Sequence, residues 1–210
     1  MSSAGIQIKV CGMRDPLNLE QLCTLSPDYV GFIFYPGSSR YVGQRPDPAL
    51  FRIPGPAIKK VGVFVDEKLS FVQRAVGQFG LDAVQLHGIE SVEYCMQLSM
   101  DKVRVIKVLD PRNRDRELET YSRVTDFFLF DSAGAGSGGS GEKFDWKLLE
   151  DLPSHFPFIL SGGIGPEDAG PIRALKLRGL AAVDLNSRFE LSPGLKNIKL
   201  LHEFFKEIRK

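Results

Sequence analysis

Eight short apolar runs recur along the chain, and polar segments with helical periodicity separate them. The runs are rich in Val, Ile and Phe, which is typical of strands buried on both faces. They occupy residues 6–11, 28–34, 58–66, 81–87, 102–108, 126–131, 156–163 and 180–187. Strands that alternate with helices through short links predict a parallel sheet with right-handed crossovers.

The segments between the runs carry helix-forming signals. Asp15 is the predicted N-cap of a helix that has Pro16 at its first position and ends near Leu25, and Ser91 is the predicted N-cap of a helix over Val92–Leu98. The other predicted helices are Leu69–Phe79, Arg114–Tyr121, Phe144–Leu152, Pro166–Leu177 and Leu195–Ile208. The prolines within 43–56 limit any helix there to about one or two turns.

Eight strand–helix repeats within 210 residues predict an α/β protein with one domain over residues 1–210, a single (β/α)8 TIM barrel. An open doubly wound sheet is the second possibility, because the same alternation builds it. No shift in composition marks a domain boundary. Both folds place their active sites at the carboxyl ends of the strands, so the polar residues that end each run become the candidates for function.

Composition excludes several classes of partner. The 27 Lys and Arg residues balance 26 Asp and Glu residues, which gives no reason to expect nucleic acid or an anionic membrane. Three irregularly spaced cysteines argue against a disulfide framework or a zinc site and for a reducing compartment. The N-terminus has no apolar signal core, and no run approaches the roughly 20 residues that span a bilayer, so we expect a cytoplasmic protein. Nothing in the pattern predicts an oligomeric state.

The last two runs end in residues suited to an anion. Ser161, Gly162 and Gly163 end the seventh run, and Pro166 then opens a helix. In barrels, the loops after strands seven and eight commonly bind phosphate through backbone N–H groups and a helix N-terminus. Glycines permit the close backbone approach that this contact needs. We therefore expect a small phosphorylated molecule as the substrate.

A glycine-rich stretch at 133–141 formally matches the pattern G-x-G-x-x-G. It does not open a helix directly, so we discount a dinucleotide site. Two interpretations stay open: a plain surface loop, or a lid whose final glycines, up to Gly141, bring backbone N–H groups near an anion.

Reactive residues end other runs. Cys11 follows the first run and precedes a turn-forming glycine, whereas Cys23 and Cys95 lie inside helical segments and are expected to be packing residues. Asp131 closes the run FFLFD, where a buried carboxylate needs a partner or a place at a mouth. Arg40 is either a surface charge or a bidentate clamp for a carboxylate.

Five further polar residues have structural interpretations beside functional ones. Asp66 and Asp184 can each be a helix N-cap, and we favour that role for Asp66. His87 can simply cap its strand. Lys9 and Lys107 lie within the first and fifth runs, and in a barrel we expect both to point into the central layer, where a charge needs a partner.

Seven motifs in order resemble the phosphoribosylanthranilate isomerase family of tryptophan biosynthesis. They are KVCGMRD, GFIFYPGSSRYV, VGVFVDE, AVQLHG, FDS…GGSGEKFDW, LSGGI and VDLNS…PGLK, and they run from about Ile8 to about Asn197. The resemblance implies a (β/α)8 barrel and an Amadori rearrangement without a metal or an organic cofactor. The implied substrate is N-(5-phosphoribosyl)anthranilate, and the implied product is 1-(2-carboxyphenylamino)-1-deoxyribulose 5-phosphate.

The resemblance also implies roles by position. Cys11 matches the family's general base, Asp131 its general acid, and Arg40 the contact of the anthranilate carboxylate. The phosphate loops match a set of five residues, and two residues match supporting positions at the substrate. The phosphate residues are Gly141, Gly162, Gly163, Asn186 and Ser187, and the supporting ones are His87 and Asp184.

This chemistry sets two expectations for acidity. Asp131 must hold a proton, so its pKa should be raised, and Cys11 works as a thiolate only if its pKa is lowered. The chain departs from the family at 186–189, where Arg188 stands in place of a usual glycine and becomes a further candidate phosphate contact.

Two other functions remain as alternatives. A phosphosugar isomerase of the histidine pathway uses the same barrel, but it has two aspartates and a twofold internal repeat, whereas this chain has Cys11 and no visible half-chain repeat. The other is a phosphate-binding barrel without catalysis that acts as a scaffold. The presence of Cys11, Asp131 and Arg40 together argues against it.

Overall fold

Eight parallel strands close into a barrel in chain order in the computed structural model, which describes residues 5–131, 143–175 and 177–210. The last strand pairs with the first, with Val10 opposite Leu185. The strands are β1 (Gln7–Val10), β2 (Tyr29–Ile33), β3 (Lys59–Phe64), β4 (Ala83–Leu86), β5 (Arg104–Leu109), β6 (Phe127–Phe130), β7 (Phe158–Leu160) and β8 (Leu180–Leu185). Closure confirms the (β/α)8 barrel and rules out the open sheet, which would leave β1 and β8 unpaired with each other.

Helices surround the barrel, and a two-stranded hairpin follows β8. The helices are α1 (Pro16–Cys23), α2 (Leu69–Phe79), α3 (Val92–Met100), α4 (Arg114–Tyr121), α5 (Ala169–Ala174) and α6 (Ile198–Ile208). The hairpin pairs β9 (Glu190–Ser192) with β10 (Leu195–Lys196). Single 3-10 turns cover Leu50–Arg52, Trp146–Leu149, Pro166–Asp168 and Ser187–Phe189. Across the described residues, no helix is both long enough and apolar enough to cross a bilayer.

The predicted caps of α1 and α3 are confirmed. The Asp15 side chain accepts a hydrogen bond from the Asn18 N–H, and Ser91 accepts one from the Tyr94 N–H. The predicted cap at Asp66 is wrong, because α2 begins after Lys68. The Asp66 carboxylate instead accepts from the Ile89 N–H at 2.7 Å and ties together the loops after β3 and β4.

Three predicted helices are shorter than expected. The last one begins at Ile198 rather than Leu195, since Leu195–Lys196 is paired in the hairpin and Asn197 caps the helix. The helix predicted over Phe144–Leu152 is a single turn. The one predicted from Pro166 starts as a 3-10 turn and its α-helical part ends at Ala174.

The two faces of the strands pack into separate apolar layers. Tyr29, Val61, Ile106 and Leu129 are among the side chains that fill the barrel interior, while a larger cluster lies between the strands and the helices. Successive side chains on a strand point to opposite faces. Lys9 therefore points inward, as expected, because both its neighbours Ile8 and Val10 belong to the outer cluster.

The prediction that Lys107 points into the barrel is wrong. Its neighbours Ile106 and Val108 occupy the interior, so Lys107 lies on the outer face. There its ammonium pairs with Glu90 at 2.9 Å and donates to the Gly88 carbonyl at 2.6 Å. The buried Lys107 ammonium therefore has the expected partner, Glu90, but on the outer face of the barrel instead of the inner one.

Five phenylalanine rings stack where the chain has only one helical turn between β2 and β3. Phe51, on the Leu50–Arg52 turn, lies 4.6 Å from the Phe32 ring and 4.2 Å from the Phe79 ring, centroid to centroid. Phe34 and Phe64 extend the stack at 4.9 Å. These rings cover the outside of the sheet at a place where other strands are covered by a full helix.

We expect Phe51→Ala to lower the free energy of unfolding by about 3–5 kcal/mol, because it leaves a cavity among rings that cannot collapse onto one another. Urea denaturation followed by circular dichroism measures this loss. Leu17→Ala is the control: Leu17 is 70% exposed, so its truncation should change stability by less than about 0.5 kcal/mol. Equal losses in the two variants would contradict the role given to the stack.

Candidate active site

The carboxyl ends of the strands surround a cavity of about 320 Å³. Cys11 after β1, Arg40 after β2, His87 after β4 and Asp131 after β6 line it together. The other predicted residues in its wall are Gly162, Gly163, Asp184, Asn186 and Ser187. Gly141 lies outside the described residues. Residues far apart in the sequence therefore converge at the end of the barrel where such folds carry out chemistry.

Cys11 lies at the floor of this cavity and is almost completely buried. The neighbouring strand has a glycine opposite it: a Cβ on Gly31 would lie 2.7 Å from the Cys11 Sγ, so only a bare backbone leaves room for the thiol. Burial raises the pKa of the Cys11 thiol, although the ammonium groups of Lys9 and Lys196 oppose the rise. The expectation of a lowered thiol pKa is wrong, because enclosure disfavours the thiolate more than the two cations favour it.

Lys9 and Asp184 form an ion pair beside the thiol. The Lys9 Nζ lies 2.9 Å from the Asp184 Oδ2, and both side chains are buried. Burial works against the charged Lys9, but Asp184 and Cys11 outweigh it and raise the pKa of Lys9. Asp184 is therefore an ion-pair partner and not a helix cap. Its second oxygen, Oδ1, is buried without a hydrogen-bond partner among the described residues and is an acceptor available in the cavity wall.

Gln85 is a polar residue of the cavity that was not predicted from the sequence. It lies on β4 two positions before His87, so the two side chains share the inward face. Gln85 is buried, and its Oε1 also has no hydrogen-bond partner within the described ranges. The signal in the sequence was a lone amide within an apolar run, where a buried polar group must find a partner.

Arg40 lines the cavity with its guanidinium held from one side by Glu190. The Arg40 Nε lies 2.9 Å from Oε1, and Nη2 lies 2.7 Å from Oε2. Lys196 adds a third bond to this carboxylate, 2.7 Å from its Nζ to Oε1. Burial opposes the charge on Glu190, but Arg40 and Lys196 hold the pKa of Glu190 below its usual range. Glu190 and Lys196 were not predicted from the sequence, because they lie on the hairpin after β8.

The loop after β7 adopts a backbone suited to an anion. Gly162 and Gly163 have φ angles of 83° and 67°, a region that favours glycine. Arg188, the further phosphate candidate, is half-exposed and pairs with Glu167 at 3.1 Å instead of lining the cavity. Lys143 also pairs with Glu167, so these charges join the loops at the rim.

His87 and Asp131 are both buried in the cavity wall, and each has an interaction partner. Within residues 5–131, 143–175 and 177–210, no three His, Cys, Asp or Glu side chains come together as a set that could hold a metal ion. The chemistry that the described cavity offers is that of a thiol, a carboxyl group and an arginine.

Comparison with known proteins identifies relatives along the whole chain. The model of the N-(5′-phosphoribosyl)anthranilate isomerase family matches residues 8–207. The isomerase of that name from Parabacteroides distasonis is 40% identical over 96% of this chain and 92% of its own length. The one from Phocaeicola vulgatus is 38% identical, covering 96% of this chain and 97% of its own.

Solved structures give the same result. The phosphoribosyl anthranilate isomerase of Thermus thermophilus superimposes with a TM-score of 0.84, at 29% identity, over 97% of this chain and 98% of its own. A phosphoribosyl anthranilate isomerase in complex with reduced 1-(o-carboxyphenylamino)-1-deoxyribulose 5-phosphate has a TM-score of 0.79 at 29% identity, over the same shares of the two chains.

We expect Lys9→Met to destabilise the protein by about 3–5 kcal/mol, because it leaves the Asp184 carboxylate buried without its cation. Chemical denaturation at neutral pH gives the value. Lys59→Met is the matched control, since Lys59 pairs with Asp82 at 3.3 Å on the partly exposed surface and its loss should cost less than about 1 kcal/mol. A similar cost for both lysines would show that burial adds nothing to the Lys9 pair.

Proposed function

The chain belongs to the N-(5′-phosphoribosyl)anthranilate isomerase family of tryptophan biosynthesis, and we propose that Cys11 and Asp131 are the acid–base pair of its isomerase reaction. The substrate is N-(5-phosphoribosyl)anthranilate, and the product is 1-(2-carboxyphenylamino)-1-deoxyribulose 5-phosphate. The observation that carries the proposal is the convergence of a thiol, a carboxyl group and an arginine on one cavity at the barrel mouth.

The cavity offers a separate contact for each end of this substrate. Arg40 can meet the anthranilate carboxylate with the Nη1 edge of its guanidinium, since Glu190 holds the Nε and Nη2 edge. Gly162 and Gly163 present backbone N–H groups for the phosphate, together with Asn186 and Ser187. The ribose then lies between them, in a cavity whose wall also holds the acceptors of Gln85 and Asp184.

The first step opens the ribose ring. Asp131, as the carboxylic acid, donates its proton to the ring oxygen, and the bond from C1 to that oxygen breaks. The lone pair of the anthranilate nitrogen supplies the electrons, so that C1 and nitrogen become an iminium. Asp131 is left as a carboxylate, and the ring oxygen becomes a hydroxyl group.

The second step moves a proton from carbon. The iminium acidifies the C2–H bond, the Cys11 thiolate removes that proton, and the bonding electrons form the C1=C2 double bond of an enaminol. Tautomerisation then places the carbonyl at C2. Because burial raises the pKa of Cys11, its thiolate is scarce at neutral pH but is a stronger base than an ordinary thiolate.

We expect wild-type protein to abolish the anthranilate fluorescence of the substrate, and Cys11→Ser and Asp131→Asn each to lower kcat by about 100-fold or more. Both changes keep the size of the side chain and remove its acid–base function. Cys23→Ser and Asp115→Asn are matched controls in α1 and α4, away from the cavity, and should keep normal turnover. Folded wild-type protein without activity would favour the scaffold alternative, and active variants would remove the assignment of the pair.

The raised thiol pKa also predicts the pH dependence. The thiolate form of Cys11 grows with pH below that pKa. The rate at which iodoacetamide alkylates Cys11, taken as the difference between wild-type and Cys11→Ser protein, should therefore rise by up to about tenfold per unit from about pH 6 to about pH 8. Initial rates in overlapping buffers at one ionic strength give the profile, with circular dichroism at each pH as the control for folding. A flat profile over this range would mean that the Cys11 thiol is already deprotonated below it.

A further inference from the structure

Lys196 is a buried cation that no step of the reaction uses. It lies on β10, outside the barrel strands, yet its side chain is fully enclosed beneath the cavity. Its Nζ donates to two oxygens at 2.7 Å each, the Glu190 Oε1 and the Asn186 Oδ1. One ammonium group thus joins a residue behind Arg40 to a residue of the proposed phosphate loop.

The contact with Glu190 acts on Arg40. Glu190 holds the Arg40 guanidinium through two parallel bonds, which fix the plane of the fork. Without Lys196, the Glu190 carboxylate would have only Arg40 and the Gly194 N–H to satisfy its buried oxygens. Lys196 and the Gly194 N–H, at 3.1 Å, hold Glu190 in the orientation that meets the fork.

The contact with Asn186 selects the orientation of an amide. An ammonium group only donates hydrogen bonds, so the oxygen of the Asn186 side chain must face Lys196. The NH2 group of the same amide is then turned away from Lys196 and remains as a donor in the cavity wall. A donor in that place suits a phosphate oxygen.

The position of Lys196 is itself fixed from α1. The Asn18 Oδ1 accepts from the Lys196 N–H at 2.7 Å, and the Asn18 Nδ2 donates to the Lys196 carbonyl at 2.9 Å. Both contacts are buried, so they clamp the backbone of β10 without touching the ammonium group. Neither Asn18 nor Lys196 lines the cavity.

We propose that Lys196 is a positioning residue that holds Arg40, through Glu190, and Asn186 in the orientations that bind the two anionic ends of the substrate. This inference rests on the proposed function. If the inference holds, one substitution at Lys196 should weaken binding of both the carboxylate end and the phosphate end of the substrate. A substitution that disturbs only Arg40 or only Asn186 should weaken binding at one end.

The test is Lys196→Met, which keeps the length of the side chain and removes the charge. We expect KM to rise about tenfold or more and kcat to fall less than KM rises, because the lost bonds to charged groups orient binding residues. Anthranilate and inorganic phosphate serve as competitive inhibitors that probe the two ends separately. Both inhibition constants should rise by at least about fivefold, and a constant that stays unchanged for either inhibitor would overturn the proposal.

The pH profile supplies a readout that a merely structural lysine would not move. Lys196 is one of the cations that oppose the raised pKa of Cys11. Its removal should therefore shift the rise of the Cys11 alkylation rate to higher pH than in wild-type protein. A profile that does not move would contradict the placement of this charge beside the thiol.

Lys107→Met is the matched control, since it also removes a buried, ion-paired lysine, but from the outer face of the barrel. It should lower stability while leaving both inhibition constants within about twofold of wild type. If Lys196→Met does not fold, Asn18→Ala replaces it, because it releases the backbone of Lys196 and keeps the charge. That variant should raise both constants by about two- to fivefold, and unchanged constants would again overturn the proposal.

The double variant Glu190→Gln/Lys196→Met tests the pathway to Arg40. If both residues act through the same guanidinium, the rise in the anthranilate constant should be less than the product of the single rises. Independent effects would contradict that route. Inactive wild-type protein would remove the proposed function itself, whereas active wild-type protein with a normal Lys196→Met variant would remove only this inference.

Discussion

The ion pair between Lys9 and Asp184 crosses the seam at which the barrel closes. The two residues are direct partners in the register of β1 and β8, so the pair joins the first and last strands inside the sheet. A buried cation and a buried carboxylate each carry a large desolvation cost that only a close partner offsets. The ion pair therefore forms only when β1 and β8 pair in the correct register. The same pairing fixes the position of Cys11, which directly follows β1.

The same arrangement explains why the thiol has an unusual acidity. Enclosure by the strands disfavours the Cys11 thiolate and raises its pKa. The Lys9 and Lys196 ammonium groups offset part of that rise. A site with a more exposed thiol would ionise more easily but would give a weaker base. A higher thiol pKa thus lowers the fraction of thiolate at neutral pH and raises the basicity of that thiolate.

Much of the fold was predictable from the chain, because strands buried on both faces and separated by helices leave a strong pattern. Which face a residue occupies was not predictable, since continuous apolar runs carry no alternation. For that reason the prediction that Lys107 points into the barrel is wrong: its neighbours Ile106 and Val108 take the interior positions. The predicted start of the last helix at Leu195 is wrong for a related reason. The apolar spacing of the helix continues back through β10, and only the pairing of β10 with β9 shows that Leu195 lies in a strand.

The positions of Cys11 and Asp131 in the cavity wall were predictable, because each residue follows the carboxyl end of a barrel strand. Contacts with residues outside that pattern were not predictable. Glu190 and Lys196 lie on a hairpin whose sequence resembles a surface turn. Only the folded chain brings the Arg40 guanidinium and the Lys196 ammonium against the Glu190 carboxylate. The pKa of Cys11 also depends on how completely the fold buries the thiol, and the spacing of residues in the sequence does not predict that burial.

The seam has a consequence for how the protein is made. Lys9 and Asp184 are 175 positions apart in the chain, so a ribosome must release nearly the whole sequence before they can meet. Contacts of such separation form late, after the cost of closing a long loop has been overcome. Until then the nascent β1 has no neighbour on its β8 side, and Cys11 is open to oxidants and to other thiols. Cys11, which follows β1, therefore becomes fully enclosed only after the last strand of the barrel has been made.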